Sequence, residues 1–274
     1  MSAVLQKIAE RTRESLERRK LALPETELRK HCQEARVPHD FRGAFDGTEI
    51  RAIAEIKFAS PSEGQIVSMR DPVTVARGYL EGGATALSVL TEESYFHGSL
   101  SFLAQVRTRF PSAFLLMKDF VIDPYQILEG LHHGADAVLL IVSLLGKERT
   151  QEYLSVAAEL GLSALVEVHD ERELEVARDA GALLVGINNR NLNTLDVSLE
   201  TSFRLIKYAE TIFTRRPAFI SESGIKSPAE VKQLGNAGFS GILVGTSLMK
   251  TADPGLALTR LLGRPLGKNH AGAN

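Results

Sequence analysis

Five short apolar segments of the chain end in polar residues of the kinds that transfer protons or bind anions. The segments read AIAEIK, AFLLMK, ALVE, LLVGINNR and AFISESG. The polar residues at these ends are Glu55 and Lys57, Lys118, Glu167, Asn188 and Arg190, and Glu222, Ser223 and Gly224. A buried strand can carry a charge only where it emerges into a cleft, because an unpaired buried charge costs several kcal/mol or is neutralised. We therefore predict that these side chains converge on one site.

Lysines and glutamates in one cleft are suited to general acid–base catalysis. A lysine near another cation, or partly desolvated, has a lowered pKa and can donate a proton, whereas a glutamate beside lysines stays ionised and can accept one. Lys57, Lys118 and Glu167 project from the first, third and fifth candidate strands, and alternate strands of a barrel contribute side chains to the same layer. Two alternatives are a structural salt-bridge network at the mouth of a barrel and a Schiff-base role for Lys118.

The elements that would position these groups alternate along the chain from residue 50 onward. Eight short segments, most of them continuously apolar, indicate strands that are buried on both faces of a parallel sheet. These candidate strands are 50–56, 86–90, 114–117, 137–141, 164–168, 183–187, 218–221 and 241–244. Between them, a capping residue before proline predicts helix starts at Asp71-Pro72, Asp123-Pro124, Ser227-Pro228 and Asp253-Pro254.

Glycines after these helices predict where each one ends, and the next strand begins within a few residues. They are Gly82-Gly83, Gly134, Gly161, Gly181 and Gly238. A doubly wound open sheet is the alternative to a closed barrel. Eight strand–helix units, with no GxGxxG after the first strand, favour an α/β fold of the (β/α)8 TIM-barrel type.

The segments outside the repeat are short. In residues 1–49, an apolar stripe at roughly four-residue spacing predicts one helix, and a second is expected over 25–35. This segment is too short for a core of its own, so we expect an N-terminal helical extension packed on a catalytic barrel of residues 50–263. The tail 264–274 is rich in Gly and Asn and is expected to be disordered.

The composition of the 274-residue chain excludes several classes of partner. The net charge of −2 and a pI near 6.4 give no basic field for nucleic acid. A single cysteine allows no intramolecular disulfide, and no CxxC motif or His/Cys cluster predicts a metal site. No stretch of about 20 apolar residues predicts a membrane span, and the N-terminus lacks a signal-peptide core. A cytoplasmic protein without a membrane partner is expected.

The seventh and eighth strands end in SESGI and VGTSLM, which are candidate phosphate-binding turns. (β/α)8 barrels often hold a phosphate between the loops after these two strands. Glycine lets backbone N–H groups approach an anion, Ser or Thr adds a hydroxyl donor, and a short following helix adds its dipole. The residues that supply these groups are Ser223, Gly224, Gly245 and Thr246. Ordinary tight turns are the alternative.

These residues lie in stretches that closely resemble the indole-3-glycerol phosphate synthase family of tryptophan biosynthesis. The stretches are AEIKFASPSEG, LSVLTEESYFHGS, LMKDFVIDPYQI, LVEVHD, GINNRNL, ISESGI and GILVGTSLM, in the family's order over residues 54–249. The resemblance implies a (β/α)8 barrel with an N-terminal helical extension. It also implies a lyase that needs no metal or cofactor. That reaction closes the indole ring of 1-(2-carboxyphenylamino)-1-deoxyribulose 5-phosphate and releases carbon dioxide and water.

The resemblance also implies catalytic roles, position by position. Lys118 matches the general acid that protonates the ribulose carbonyl during ring closure, and Glu167 matches the general base for the dehydration. Lys57 matches a lysine that contacts the substrate and is argued to take part in proton transfer. Glu55 and Glu222 match the glutamates that set the electrostatic field around these lysines.

The implied partner is a small phosphorylated substrate. Asn188 and Arg190 match residues that hold its anthranilate part, including the carboxylate, and Ser60 matches a polar residue near that carboxylate. The phosphate site is matched by Ser223, Gly224, Gly245 and Thr246. The sequence leaves the oligomeric state open, with a monomer as one option.

The apolar part of the implied site is matched less closely. Phe96 and Phe120 match positions that form the slot for the aromatic ring. Phe58 is a departure, because the residue after Lys57 is often basic in this family. This departure weakens the case that position 58 contacts an anion. Thr246 stands in place of Ser and keeps the hydroxyl group.

Three other functions would fit parts of this sequence. A class I aldolase acting on a sugar phosphate would use Lys118 as its Schiff-base nucleophile. Phosphoribosylanthranilate isomerase would be expected to use a Cys/Asp pair, but the single cysteine, Cys32, precedes the barrel. A barrel retained only for binding would be expected to have a degraded site, whereas this set of residues is complete.

Overall fold

The structure, a computed structural model, describes residues 3–192 and 194–265. Its strands are β1 (Arg51–Ile56), β2 (Ala59–Ser60), β3 (Gly64–Gln65), β4 (Ala86–Leu90), β5 (Phe114–Lys118), β6 (Ala137–Ile141), β7 (Ser163–Val168), β8 (Leu184–Asn188), β9 (Ala218–Glu222) and β10 (Gly241–Val244). Strands β1 and β4 to β10 pair in parallel and close into a barrel. Strands β2 and β3 form a small separate hairpin. The predicted (β/α)8 barrel is therefore confirmed.

The barrel closes because β1 pairs on both of its edges. Ala54 of β1 lies opposite Leu87 of β4 and also opposite Val244 of β10. Aliphatic side chains fill the barrel interior, and a second apolar layer packs between the strands and the helices. Because both faces of each strand are buried, the strands read as continuous apolar segments, and their predicted bounds agree with the observed ones to within one residue.

Helices surround the barrel and run between its strands. They are α1 (Ala3–Ala22), α2 (Glu25–Gln33), α3 (Pro72–Glu81), α4 (Leu100–Arg109), α5 (Pro124–His132), α6 (Val142–Glu159), α7 (Glu171–Asp179), α8 (Glu200–Ile212), α9 (Pro228–Asn236), α10 (Thr246–Met249) and α11 (Pro254–Leu261). All four helix starts predicted from a cap before proline are confirmed, since each cap side chain accepts a backbone N–H of the first turn. A glycine with positive φ follows each of five helices at Gly83, Gly134, Gly161, Gly181 and Gly238.

Helices α1 and α2 pack on the outside of the barrel against α5. Leu16 and Leu28 form a buried cluster with Tyr125 and Leu128 of α5. The Tyr125 hydroxyl donates to the Leu23 carbonyl at 2.7 Å. Helix α2 ends two residues before the predicted bound of 35. The division into an extension and a barrel stays a prediction, and residues 266–274 of the expected tail lie outside the described residues.

The first turns of α1 reach the C-terminal end of the barrel. Leu5 and Ile8 are buried, with 2% and 3% of their surface exposed, and both contribute to the wall of the cavity at the barrel mouth. The sequence predicted the packing of this helix but not its position over the mouth. Within the two described ranges, no helix is both long and apolar enough to cross a bilayer.

Candidate active site

A cavity of about 520 Å³ opens at the C-terminal ends of the barrel strands. All twelve residues predicted as site residues contribute to its wall, namely Glu55, Lys57, Ser60, Lys118, Glu167, Asn188, Arg190, Glu222, Ser223, Gly224, Gly245 and Thr246. The active sites of (β/α)8 barrels lie at this end, because the loops that follow the strands converge there. The structure thus brings the set together, and the role of each residue stays a prediction.

Lys118, the last residue of β5, lies between Glu167 near the end of β7 and Glu222 at the end of β9. Its Nζ is 3.2 Å from Glu167 Oε2 and 3.4 Å from Glu222 Oε2. Burial lowers the pKa of Lys118, but Glu167, Glu222 and Glu55 outweigh burial and raise it above its usual range. The lowered pKa expected from the sequence is wrong here, because the carboxyl groups of Glu167, Glu222 and Glu55 outweigh the effect of burial on this ammonium group.

Lys57 forms a separate ion pair with Glu55. The Lys57 Nζ lies 2.6 Å from Glu55 Oε2. Lys57 follows the last residue of β1, Ile56. Lys118 and Glu167 meet as expected and Glu222 joins them, whereas the expectation that Lys57 lies at the same level stays a prediction.

The environments of Glu167 and Glu222 move their pKa values in opposite directions. Burial raises the pKa of Glu167, but Lys118, His169 and Asn188 outweigh it and hold the pKa below the usual range. Burial raises the pKa of Glu222 to about 8; Lys118 opposes this shift, and Glu167 and Glu55 add to it. These shifts favour the ionised form of Glu167 and the protonated form of Glu222. Such divergence of two neighbouring carboxyl groups marks an acid–base site.

The raised pKa of Glu222 predicts a pH-dependent effect of Glu222→Gln on stability. The folded-state pKa of about 8 exceeds the ordinary value of 4.5. The contribution of this group to stability is thus complete below pH 4.5 and is lost as the pH rises through 8. Gln at this position stays neutral at every pH. We therefore expect the melting temperature of the variant, relative to that of the wild type, to rise between pH 6 and pH 9. A difference that does not change with pH would contradict this assignment.

Gly186 makes room for the Glu222 carboxyl group. A Cβ atom at position 186 would lie 2.0 Å from Glu222 Oε1, inside any normal contact distance. This Oε1 is buried and has no hydrogen-bond partner among the described residues. A glycine inside an otherwise apolar strand signals such a close approach, but the sequence analysis did not single out Gly186.

We expect Gly186→Ala to lower kcat at least about tenfold, because misplacing a catalytic constellation by about 1 Å is costly. The added methyl group must displace the Glu222 carboxyl group from Lys118. The measurement is kcat with the melting temperature of the same sample. Gly78→Ala in α3 is the matched control, since its Cβ would meet neighbours only at 3.7 Å. Unchanged turnover in Gly186→Ala would show that catalysis does not depend on the position of the Glu222 carboxyl group beside Lys118.

Two turns at the ends of β9 and β10 form the rim of the cavity. Ser223 and Gly224 both have positive φ, 68° and 83°, which is uncommon for serine. The buried Asn189 holds this turn: its Nδ2 donates to the Glu222 and Ser223 carbonyls at 2.9 and 3.0 Å. At Gly245, a Cβ would lie 2.5 Å from Glu55 Oε2, so this glycine also admits the Glu55 side chain.

Two further polar residues of the wall, Asn188 and Arg190, are linked to Glu167 by hydrogen bonds. Asn188 Nδ2 donates to Glu167 Oε1 at 3.2 Å, and the Arg190 backbone N–H donates to Asn188 Oδ1 at 3.0 Å. The Arg190 guanidinium group donates to the Leu195 carbonyl at 3.0 Å within its own loop. On the β2–β3 hairpin, Ser60 is buried beside the cavity.

The apolar part of the wall contains two aromatic rings. Phe96 and Phe120 have ring centroids 5.7 Å apart, and Leu139 and Ile141 of β6 line the same cavity. Phe58 is buried in the core outside this wall, which explains how an apolar residue is accommodated at a position that is often basic in the resembling family.

The sequence analysis missed several polar residues that support the site. Besides Asn189, they include Asp119, whose carboxylate accepts from the Thr91 hydroxyl and from the Phe120 backbone N–H. Burial raises the pKa of Asp119 to about 6. His169 lies next to Glu167, with Nε2 3.3 Å from Glu167 Oε1. Asn189, Asp119 and His169 each lie in one of the stretches that resemble the family. Their place next to predicted site residues in the sequence was the one signal that could have identified them.

Fold and site together define a (β/α)8-barrel enzyme with a buried lysine–glutamate centre and small polar turns at the rim of its cavity. The family model for indole-3-glycerol phosphate synthase matches residues 5–261, and the chain belongs to that family. Enzymes of this family are carboxy-lyases, and this chain is an enzyme of that class acting on a small phosphorylated substrate.

Curated relatives carry the same name. The indole-3-glycerol phosphate synthase of Carboxydothermus hydrogenoformans is 43% identical over 265 residues, covering 94% of this chain and 99% of the relative. That of Chlorobium phaeobacteroides is 46% identical over 217 residues, covering 78% and 82%. Among solved structures, thiamine phosphate pyrophosphorylase from Pyrococcus furiosus has a TM-score of 0.58 at 18% identity, covering 79% and 95%. At this identity, the likeness shows the barrel fold alone.

Proposed function

We propose that the chain closes the indole ring of 1-(2-carboxyphenylamino)-1-deoxyribulose 5-phosphate. The products are indole-3-glycerol phosphate, carbon dioxide and water. The observation that carries this proposal is Lys118, whose Nζ lies 3.2 Å from Glu167 and 3.4 Å from Glu222 in a cavity whose wall is polar on one part and apolar on another. Membership of the family supports the choice of substrate.

Lys118 is proposed as the general acid for ring closure. Attack by the carboxylate-bearing ring carbon on the ribulose carbonyl places negative charge on the carbonyl oxygen, and the ammonium group supplies a proton to it. The raised pKa keeps this proton on Lys118 in the free enzyme. The carbonyl oxygen must therefore take the place of a carboxylate as the partner of the ammonium group before the proton moves.

Glu167 is proposed as the general base for the dehydration. After carbon dioxide has left, aromatisation requires loss of a ring proton and of the hydroxyl group that ring closure created. Glu167 is ionised and can accept the ring proton, while Lys118, which has taken up a new proton from solvent after ring closure, protonates the hydroxyl group so that it leaves as water. Lys118 lies 3.2 Å from Glu167, so an acid and a base act on the same part of the substrate.

The remaining residues are proposed to hold the two ends of the substrate. The anthranilate part would lie in the slot of Phe96 and Phe120, with Asn188, Arg190 and Ser60 near its carboxylate. An apolar slot solvates that carboxylate poorly and so favours its loss as carbon dioxide. The phosphate would lie at the rim turns, at Ser223, Gly224, Gly245 and Thr246.

Inorganic phosphate is expected to inhibit competitively, because it occupies the same rim turns as the substrate phosphate. A crystal grown with phosphate or sulfate should show the anion beside Ser223 and Thr246. Thr246→Val removes a hydroxyl donor and should raise the inhibition constant, whereas Thr251→Val, outside the cavity wall, should not. An anion found only elsewhere in the barrel mouth would count against this site.

A class I aldolase is the second candidate for a lysine in this position. The raised pKa of Lys118 disfavours it, because a Schiff base forms from the neutral amine. Treatment with borohydride in the presence of substrate distinguishes the two functions. A synthase releases indole-3-glycerol phosphate and stays unlabelled, whereas an aldolase is trapped covalently at Lys118. A labelled Lys118 would overturn the proposed function.

Two finer proposals concern the setting of the enzyme. The family's role as a biosynthetic enzyme supports a cytoplasmic location. A monomer is the proposed oligomeric state, and sedimentation of the purified chain tests it against the mass of 29.9 kDa.

A further inference from the structure

His169 lies between two carboxylates just beyond the end of β7. Its Nε2 is 3.3 Å from Glu167 Oε1, and its Nδ1 is 2.9 Å from Glu173 Oε2. Only 13% of the side-chain surface is exposed. The ring therefore links the candidate base of the barrel to a glutamate in the first turn of α7.

Glu173 fixes the orientation of this ring. Its Oε2 accepts a hydrogen bond from the His169 backbone N–H at 2.8 Å, in addition to its contact with Nδ1. The Glu173 backbone N–H in turn donates to the Asp170 cap at 2.9 Å, which holds the start of α7. With Nδ1 directed at Glu173, Nε2 faces Glu167 at ion-pair distance but without hydrogen-bond geometry.

The surroundings of the ring favour the imidazolium form. Burial lowers the pKa of His169, but contacts with Glu167 and Glu173 outweigh burial and raise it to about 10. The two oxygens of Glu167 are then paired differently: Oε2 faces Lys118, whereas Oε1 faces His169 and Asn188. Glu167 thus has two cationic neighbours, one on each oxygen.

His169 has no place in the wall of the cavity that holds the twelve candidate residues. It borders a second cavity of about 360 Å³ instead. The charged side chains that line this second cavity with it are Asp170, Glu173, Arg190 and Arg204. The two cavities share Asn188 and Arg190, but among the wall residues of the first cavity it is Glu167 that His169 contacts, and we infer that His169 acts through Glu167.

We propose that His169, oriented by Glu173, is a positioning residue that keeps Glu167 aligned and ionised while Lys118 gives its proton to the substrate. The inference rests on the proposed function and deepens it. When Lys118 becomes neutral, Glu167 loses one of its two cations and would otherwise become a competitor for protons. The second cation prevents this, so that Glu167 stays ionised until the dehydration step.

The test compares His169→Asn and Glu173→Gln with His132→Asn, an exposed histidine at the end of α5. Profiles of kcat and KM are measured from pH 4 to pH 9. In the wild type, the acid limb of the kcat profile lies below pH 4, because the pKa of Glu167 is held below its usual range. In His169→Asn, we expect this limb to move into the measured range and to lower kcat about tenfold at pH 4. The KM should stay within about twofold, because no substrate contact changes. His132→Asn should leave both profiles as in the wild type.

Glu173→Gln keeps the ring and supplies a second, independent readout. Nitrogen NMR of the imidazole should show that His169 of the wild type is still protonated at pH 8. Glu173→Gln should lower the pKa of His169 and move the acid limb of the kcat profile in the same direction as His169→Asn does. If the wild type makes product but the acid limbs of both variants stay where they are in the wild type, the inference is overturned. A change confined to the melting temperature would also overturn it. A wild-type chain that forms no product would instead overturn the proposed function, and the inference with it.

Discussion

Replacement of Lys118 by methionine is expected to lower kcat by at least about 100-fold, the lower end of what a general acid contributes. Methionine keeps an unbranched side chain of similar length but has no proton that it can donate to the substrate. The KM should change little, because the rim turns and the residues around the anthranilate part keep their positions. The measurement is steady-state turnover at neutral pH, together with a substrate-binding titration of the variant.

Lys57→Met is the matched control for this experiment. Lys57 also lines the cavity, but its ammonium group is paired with Glu55 at 2.6 Å, away from the Glu167–Lys118–Glu222 contacts. We expect a smaller loss of kcat from Lys57→Met than from Lys118→Met. Near-normal turnover in Lys118→Met would refute its role as the acid and transfer that role to Lys57.

Glu167→Gln is the second large effect, and it separates the two chemical steps. Glutamine keeps the size and hydrogen bonding of the side chain but cannot accept the proton of the dehydration. We expect kcat to fall by about 100-fold or more, with ring closure less affected, so that a ring-closed, still hydrated intermediate accumulates. Rapid quenching and mass analysis of a single turnover would detect it.

The melting temperature of the same Glu167→Gln sample distinguishes a base from a structural ion pair. A base role predicts a large loss of kcat with a small change in melting temperature. Glu171→Gln is the control, because Glu171 of α7 forms an ion pair with Arg204 of α8 at the protein surface. A Glu167→Gln variant that is clearly destabilised but retains nearly full activity would show that the glutamate only holds the lysine.

Local signals in the sequence were sufficient for the fold. Strands such as β4 and β6 are buried along their whole length, so their apolar residues are continuous and end where the strand ends. Caps such as Asp71 and Ser227 bond to backbone groups two or three residues away. Neither feature depends on distant parts of the chain, which is why the predicted bounds agree with the structure.

The electrostatics of the site could not be predicted in the same way. The pKa of Lys118 depends on glutamates that are 49 to 104 positions away in the chain, and the sequence does not show how many of them contact its ammonium group. The same limit applies to the neutral form of Glu222 and to the position of α1 over the mouth. These properties follow from the closed barrel, which sets distances between residues that lie far apart in sequence.

The central claim is that this lysine–glutamate site carries out ring closure, decarboxylation and dehydration on one substrate. The most direct test is to incubate the purified, chelator-treated chain with 1-(2-carboxyphenylamino)-1-deoxyribulose 5-phosphate and to measure carbon dioxide and indole-3-glycerol phosphate together. The account predicts equal amounts of the two products from the wild type and almost none from Lys118→Met. Product without carbon dioxide, or equal rates from both proteins, would contradict it.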